Sequence, residues 1–353
     1  MPRLPAQDEE RSTKMAKCVV WDLDDTLWHG TLAAGDDVAP KTGVPELIKT
    51  LDSRGILQSI ASKNDHDDAL RRLEEFGLAE YFLYPQINWN SKSSSIAVIQ
   101  KKLNIGMDTI MFIDDQAFER DEVAFAHPEV QTVDAASCLA LRTLPRLSPK
   151  VVTDDARRRR SMYLEDEVRR TSERAYEGPR EEFLAALDMR FAISHAAGDD
   201  LLRLKELTER TSQLNSTGVH YSYEQLEKLM RDPGHDLWVC ELTDRYGSYG
   251  KIGMALVEKR SDAWTIKLLL MSCRTVSKGV GTVLLSFLIK RASDEGRRLF
   301  ARFRRTDRNR QMLLTYQLAN FHVVSHDGDD YLYENDLSVR QDYPDYIKVE
   351  VDA

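Results

Sequence analysis

Val19-Val20-Trp21-Asp22-Leu23-Asp24-Asp25-Thr26-Leu27-Trp28 is the stretch whose reading decides the fold. An apolar run stops abruptly at three acids and a threonine. Apolar residues before the acids predict a buried strand with the acids at its carboxyl end, where open α/β sheets place their chemistry. Carboxylates crowded into so few positions repel one another unless a cation joins them. Mg²⁺, a hard ion that takes oxygen ligands and phosphate co-ligands, meets that need.

Working outward, residues 17–143 alternate strand-like and helix-like segments. Strands are expected at 18–21, 56–61, 109–113 and 130–133, and helices at 45–54, 67–76, 94–103 and 118–126. Such alternation predicts a parallel sheet covered by helices. From about 144 to 180 the chain turns charged, with Arg157, Arg158, Arg159 and Arg160 in succession, and reads as a solvated linker helix. Residues 181–353 read as a second α/β domain of more antiparallel character. Its expected strands are 189–193, 237–242, 250–258, 264–271 and 298–303, and its helices lie near 201–211, 223–230, 281–291 and 309–317. The domain expectation is a disordered lead-in over 1–15, a parallel-sheet domain over 16–145, a linker helix over 146–180 and the second domain over 181–353.

The chain has 353 residues, which favours two domains. No run of about 18 apolar residues exists, so no membrane helix is expected. A net charge of −9 argues against nucleic acid as the main partner. Cys18, Cys138, Cys240 and Cys273 lie far apart, a pattern that suits a reducing cytoplasm better than a zinc site or disulfide framework.

Asp22-Leu23-Asp24-Asp25-Thr26 resembles the first motif, DxDxT, of the haloacid dehalogenase-like (HAD) phosphatases. Ser62, Lys92 and the pair Asp114-Asp115 follow in the order that family requires, each near a strand end or loop. Phosphate-monoester hydrolysis is extremely slow uncatalysed, and a carboxylate nucleophile divides it into two easier steps. The resemblance implies Asp22 as nucleophile and Asp24 as proton donor and then base. Asp22, Asp24, Asp114 and Asp115 are the implied acids of the Mg²⁺ site. Ser62, Lys92 and Thr26 are the implied phosphate-binding set. Asp25 has no assigned role beyond bracing its loop, and His29 and His66 read as loop histidines.

Further segments resemble the FkbH-like family. They are residues 17–28, Ser62-Lys63-Asn64-Asp65, residues 112–120, Arg210-Thr211-Ser212-Gln213-Leu214-Asn215 and Ser272-Cys273-Arg274. The resemblance spans roughly residues 15–335. It departs from the family pattern at Asp25, His29, Ser212, Leu214 and the turn at 277–281. It implies transfer of the glyceryl group of 1,3-bisphosphoglycerate to the phosphopantetheine thiol of an acyl carrier protein, with loss of the phosphate. The product would feed polyketide synthesis as a methoxymalonyl precursor or a tetronate-type unit.

The second domain is similar to a GNAT-type acyltransferase fold: a strand ends at Ser272-Cys273-Arg274 and a turn with Gly279 and Gly281 opens a helix. Amides at a helix start bind phosphate. Asn309, Tyr316 and Phe321 fall where such domains carry their downstream signature, with Asn320 in place of a glycine. Cys273 is the candidate acyl carrier, activated by Arg274, Lys278 and the helix start. The alternative for Cys273 is an inert buried strand cysteine. Arg274, Gly279, Gly281, Asn309, Tyr316 and His220 are the candidate pantetheine and acyl site. Arg302, Arg304 and Arg305 read either as a solvated strand edge or as a grip on phosphate or carrier acids. Two other functions stay open: a stand-alone Mg²⁺-dependent phosphatase of a small metabolite, and a non-catalytic carrier-binding scaffold.

Overall fold

All four residues of β1 (Cys18–Trp21) are buried, as a central strand covered by helices on both faces requires. Val19 and Trp21 pack against Leu47, Ile48 and Leu51 on one face. Cys18 and Val20 pack against Ile96, Ile99 and Phe112 on the other. A hairpin of two very short strands follows, β2 (Trp28–His29) and β3 (Ala39–Pro40). Then come α1 (Val44–Ser53), β4 (Leu57–Ser62), α2 (His66–Glu75), β5 (Gln86–Ile87), α3 (Lys92–Leu103), β6 (Ile110–Asp114), α4 (Ala117–Ala126) and β7 (Gln131–Asp134). The sheet order is β5-β4-β1-β6-β7, with every pair parallel. The chain builds outward from β1 through β4 and β5, then returns to add β6 and β7 on the other side. That reversal opens a crevice beyond the carboxyl ends of β1 and β6.

This computed structural model describes residues 14–339 and 342–352, without the side chains of Cys273, Val276 and Ser277. The chain divides into two compact units between Leu164 and Glu165. No described helix is long and apolar enough to cross a membrane. The boundary falls within a helix: after α5 (Asp154–Arg157), α6 runs over Arg159–Ala175. The expectation of a solvated helix here is corrected. Arg159 donates to Gly55 O at 2.6 Å, and Arg160 pairs with Asp52 at 2.9 Å. Beyond the boundary, Arg169 is 1% exposed and pairs with Asp244 through two bonds of 2.7 and 3.0 Å. Tyr249 also donates to that carboxylate at 3.0 Å, and the Arg169 guanidinium lies 4.0 Å from the Tyr249 ring. These arginines pair with carboxylates and carbonyls, which a charge pattern alone cannot distinguish from pairing with water.

The second unit continues with α7 (Arg180–Ala186), β8 (Met189–His195), α8 (Leu201–Arg210), α9 (Tyr223–Arg231), β9 (His235–Asp244), β10 (Gly247–Lys259) and β11 (Ala263–Met271). It ends with α10 (Gly281–Asp294), β12 (Arg298–Arg304), α11 (Arg310–Leu318), β13 (Phe321–Asp327), β14 (Asp330–Asn335) and β15 (Ile347–Asp352). The eight-stranded sheet runs β13-β14-β12-β11-β10-β9-β8-β15 and is antiparallel except at β11–β12 and β8–β15. One face packs on Phe287, Leu288 and Tyr316 of α10 and α11, the other on Leu204, Leu207 and Leu226 of α8 and α9. The α/β class expected for both units is what the structure has.

One departure from a regular sheet bears on function. β11 and β12 pair only from Ala263 with Arg298 to Ile266 with Ala301. Beyond that point the strands fork, and residues 214–216 fill the gap. Met271 N donates to Leu214 O at 2.9 Å, Ser216 N to Leu269 O at 2.9 Å, and Arg304 N to Ser216 O at 2.9 Å. The Ser216 hydroxyl accepts from Leu269 N at 2.9 Å. Asn215 and Ser216 are fully buried.

Candidate active site

The parallel sheet brings its polar residues to one crevice. Asp22 follows β1, Ser62 ends β4, Lys92 opens α3 and Asp114 ends β6. Lys92 Nζ lies between two carboxylates, 2.5 Å from Asp22 Oδ1 and 2.9 Å from Asp114 Oδ2. All three are almost wholly buried: Asp22 at 4%, Lys92 at 4% and Asp114 at 0% exposure. Burial is the main force on Asp22, pushing its carboxyl up to about 6; Asp114 adds to that rise, while Lys92 and Ser62 oppose it. Burial also raises Asp114 against the pull of Lys92. For Lys92, burial favours loss of the proton, but the two carboxylates outweigh it and hold the ammonium charged.

Asp22, Asp114 and Asp115 each offer an oxygen, and the three lie within 4.8 Å of one another. An all-carboxylate, partly buried donor set suits a hard divalent ion, so these residues fit Mg²⁺. Two expectations are corrected. The Asp24 carboxylate is outside that cluster because three donors hold it: Trp28 Nε1 at 2.7 Å, Leu32 N at 3.1 Å and Asn64 Nδ2 at 3.0 Å. Thr26 is fully buried and its hydroxyl engages Asp115, donating to Oδ1 at 3.3 Å and accepting from N at 3.0 Å. It fixes an acid of the site and does not reach toward phosphate.

Sequence reasoning missed Trp28 and Asn64. Asn64 also donates to Ser62 Oγ at 3.2 Å, so one amide orients two site residues. Its place two residues after Ser62 was the available signal. Asp25 has a left-handed φ of 45°, its carboxylate accepts from Gly30 N at 3.0 Å, and its carbonyl accepts from Lys41. It braces the hairpin.

In the second unit the expected site residues divide between two places. Near the start of α10, Arg274 donates to Tyr249 O at 3.0 Å. Gly279 has a φ of 72°, and a Cβ there would collide with the Tyr346 hydroxyl. Tyr346 therefore packs where a side chain at position 279 would stand. Gly281 has open space around its Cβ position. Asn309 and Tyr316 lie instead at the fork. Asn309 is 1% exposed, and its amide donates to Asn215 O at 3.1 Å and Arg304 O at 2.8 Å while accepting from Thr306 N at 2.9 Å. Tyr316 is fully buried among Phe303, Phe321 and Tyr333, and burial raises its hydroxyl pKa. Both act inside the fold, which corrects their expected contact with an acyl arm. His220 is exposed on the loop before α9. The expected role of Cys273 falls on a side chain outside the described residues; its backbone begins a 3-10 turn just after β11. Cys18, Cys138 and Cys240 are buried, and burial pushes each thiol up, away from the reactive thiolate.

No protein-family model matches the chain. Magnesium-dependent phosphatase 1 of Homo sapiens is 31% identical over 122 residues, which cover 29% of this chain and 69% of the human protein. The chain belongs to the magnesium-dependent phosphatase family. Among solved structures, the N-terminal, phosphatase-containing part of a Bacteroides fragilis protein, complexed with Mg, is 29% identical. It covers 38% of this chain at a TM-score of 0.35, and the present chain spans 42% of it. The ribosomal-protein-S18-alanine N-acetyltransferase of Escherichia coli is 14% identical, covering 41% of this chain and 92% of its own, with a TM-score of 0.33. In this chain Asp22 lies among the converging acids, and Asp24 is held apart from them by its own donors.

Proposed function

We propose that this chain is a bifunctional glyceryltransferase and phosphatase that loads an acyl carrier protein. The observation that carries the reading is the junction of two distant motif segments. Leu214, from the 210–215 segment, binds Met271 N directly ahead of Ser272-Cys273-Arg274. Both segments carry the FkbH-like resemblance, and the sheet joins their backbones two residues before position 273.

The Cys273 thiolate attacks the acyl-phosphate carbonyl of 1,3-bisphosphoglycerate. A carbon–sulfur bond forms, the carbonyl carbon–oxygen bond breaks, and inorganic phosphate leaves. The carrier's pantetheine thiol then takes the acyl group by thioester exchange, returning a proton to the system as Cys273 is released. At the other site Asp22 attacks the remaining phosphorus, and the bond to the glyceryl oxygen breaks. Asp24, held by Trp28 and Asn64, gives that oxygen its proton. It then takes one from the water that hydrolyses the aspartyl phosphate. Asp22, Asp114 and Asp115 would hold Mg²⁺, which supplies positive charge against the phosphoryl oxygens. Ser62 and Lys92 orient and neutralise the same group.

Intact-mass measurement after incubation with 1,3-bisphosphoglycerate tests the transfer half. A phosphoglyceryl adduct is expected on the wild type and none on Cys273→Ala; an adduct on the variant overturns the cysteine assignment. Asp22→Asn should leave phosphate on the acyl chain. The complete acid site in the first unit also supports a simpler reading, a phosphatase of a soluble metabolite. That reading expects Cys273→Ala to turn over at the wild-type rate and carrier protein to have no effect.

A further inference from the structure

The chain is acidic, with a net charge of −9, yet residues 302–310 hold five arginines and one aspartate. All five arginines are exposed. This segment leaves the carboxyl end of β12, at the mouth of the fork filled by residues 214–216. Thr306 borders the loop that follows that filler, since a Cβ on Gly218 would stand 3.9 Å from its methyl group. The arginines wrap the strand end. Arg302 acts electrostatically on Tyr221, on the side of α9, while the Arg305 guanidinium lies 5.2 Å over the Tyr331 ring on the other side.

A solvated strand edge needs no fixed backbone, and this backbone is fixed. The buried Asn309 amide ties Arg304 O and Thr306 N to Asn215 O. Thr306 Oγ1 accepts from Arg308 N at 3.3 Å and from Asn309 N at 3.2 Å, and Arg305 N donates to Asp329 O at 2.8 Å. Arg304 is neutralised by Asp330 at 2.8 Å, and Arg308 lies 3.8 Å from Asp307. Among the described residues, no ion pair engages Arg302, Arg305 or Arg310. Three planar guanidiniums, on the end of β12, the fixed loop after it and the start of α11, form a ready surface for carboxylates and phosphates.

We propose that residues 302–310 are a docking surface for the acidic face of an acyl carrier protein, beside the fork where the acyl arm is exchanged. The proposal rests on the transfer reading above and names the place where its partner binds. A nucleic acid would extend beyond the patch over the rest of a chain whose net charge is −9. A compact acidic domain needs only the local patch.

The test uses the full chain and a fluorescently labelled, phosphopantetheinylated acyl carrier protein, with binding followed by anisotropy. Wild-type binding should weaken as salt rises. Arg302→Glu/Arg305→Glu/Arg310→Glu should bind roughly tenfold more weakly or worse, with a flatter salt dependence. The neutral triple variant to Gln should fall between, with an unchanged thermal midpoint. Transfer to free pantetheine should be the same in the wild type and both variants. Equal carrier affinity in all three proteins overturns the docking surface, as does tighter wild-type binding to a 20-base-pair DNA duplex than to the carrier. The two readings fail separately: charge-dependent binding without any acyl transfer leaves the surface standing and removes the transferase, while transfer with charge-independent binding does the reverse.

Discussion

Trp28 Nε1 donates to Asp24 Oδ1 at 2.7 Å, so a buried indole four residues downstream fixes the carboxylate proposed above to move the proton. Asn64 takes the other oxygen at 3.0 Å. A carboxylate clamped on both oxygens presents one geometry to the leaving group. Trp28→Phe and Asn64→Leu should each lower kcat on p-nitrophenyl phosphate about tenfold with little change in KM, because general acid–base catalysis depends on position more than on ground-state binding. Wild-type kcat in both variants, or a KM change with constant kcat, would show that the clamp is only structural.

Lys92 neutralises two buried carboxylates at once. Lys92→Met leaves Asp22 and Asp114 facing each other without a cation, and breaking a buried pair in this way costs about 3–5 kcal/mol. Urea unfolding without metal should show that loss, and saturating Mg²⁺ should restore part of it by taking over the charge. A metal-free variant as stable as the wild type contradicts the pairing.

Mg²⁺ should raise the wild-type melting temperature, since ligand bound only to the folded state stabilises by about 2.7 kcal/mol at a hundredfold excess over Kd. Asp114→Asn should abolish that rise and Asp24→Asn should retain it, because only Asp114 belongs to the converging acids. A lost shift in Asp24→Asn would return Asp24 to the metal site.

Arg169→Leu should destabilise the second unit by about 3–5 kcal/mol, since it strands the Asp244 carboxylate, which is 0% exposed, with only Tyr249 as a side-chain donor. Guanidinium denaturation followed by tryptophan fluorescence measures it. A cost below about 1 kcal/mol would mark the pair as a surface-type bridge.

Glu258 sits between Lys267 at 2.8 Å and Arg260 at 2.7 Å, and those two cations hold its carboxyl down from an ordinary 4.5 to about 2. Its folded pKa is depressed, so its contribution is complete above about 4.5 and disappears as pH falls towards about 2. Solvent screens the site, so the effect is small. Stability of Glu258→Gln measured against pH should be flatter than wild type across that window and parallel to it above.

The parallel-sheet unit was legible because its strands announce themselves. Cys18-Val19-Val20-Trp21 is apolar on both faces, and each later strand is followed by a polar residue at its carboxyl end. Strand and helix limits there fall within two residues of expectation. The β2–β3 hairpin was missed because its strands hold two residues each, below any period. β13 was missed because six of its seven residues are exposed, so no apolar alternation marks it. At the candidate sites, charge and motif order located Asp22, Ser62, Lys92 and Asp114. Hydrogen-bond partners were not legible: nothing in a one-dimensional pattern shows that Thr26 is spent on Asp115, or Asn309 on Asn215 and Arg304.

β15 lies parallel to β8, with Ile347 opposite Met189 and Asp352 opposite Ser194. The strand that flanks the beginning of the second unit thus comes from its very end. During synthesis the parallel-sheet unit can close as soon as its own residues emerge. The second sheet stays one strand short, with β8 bare along one edge, until residues 347–352 have emerged. That leaves a window in which a nascent chain offers an unpaired strand to its neighbours, and chaperone cover should matter most there.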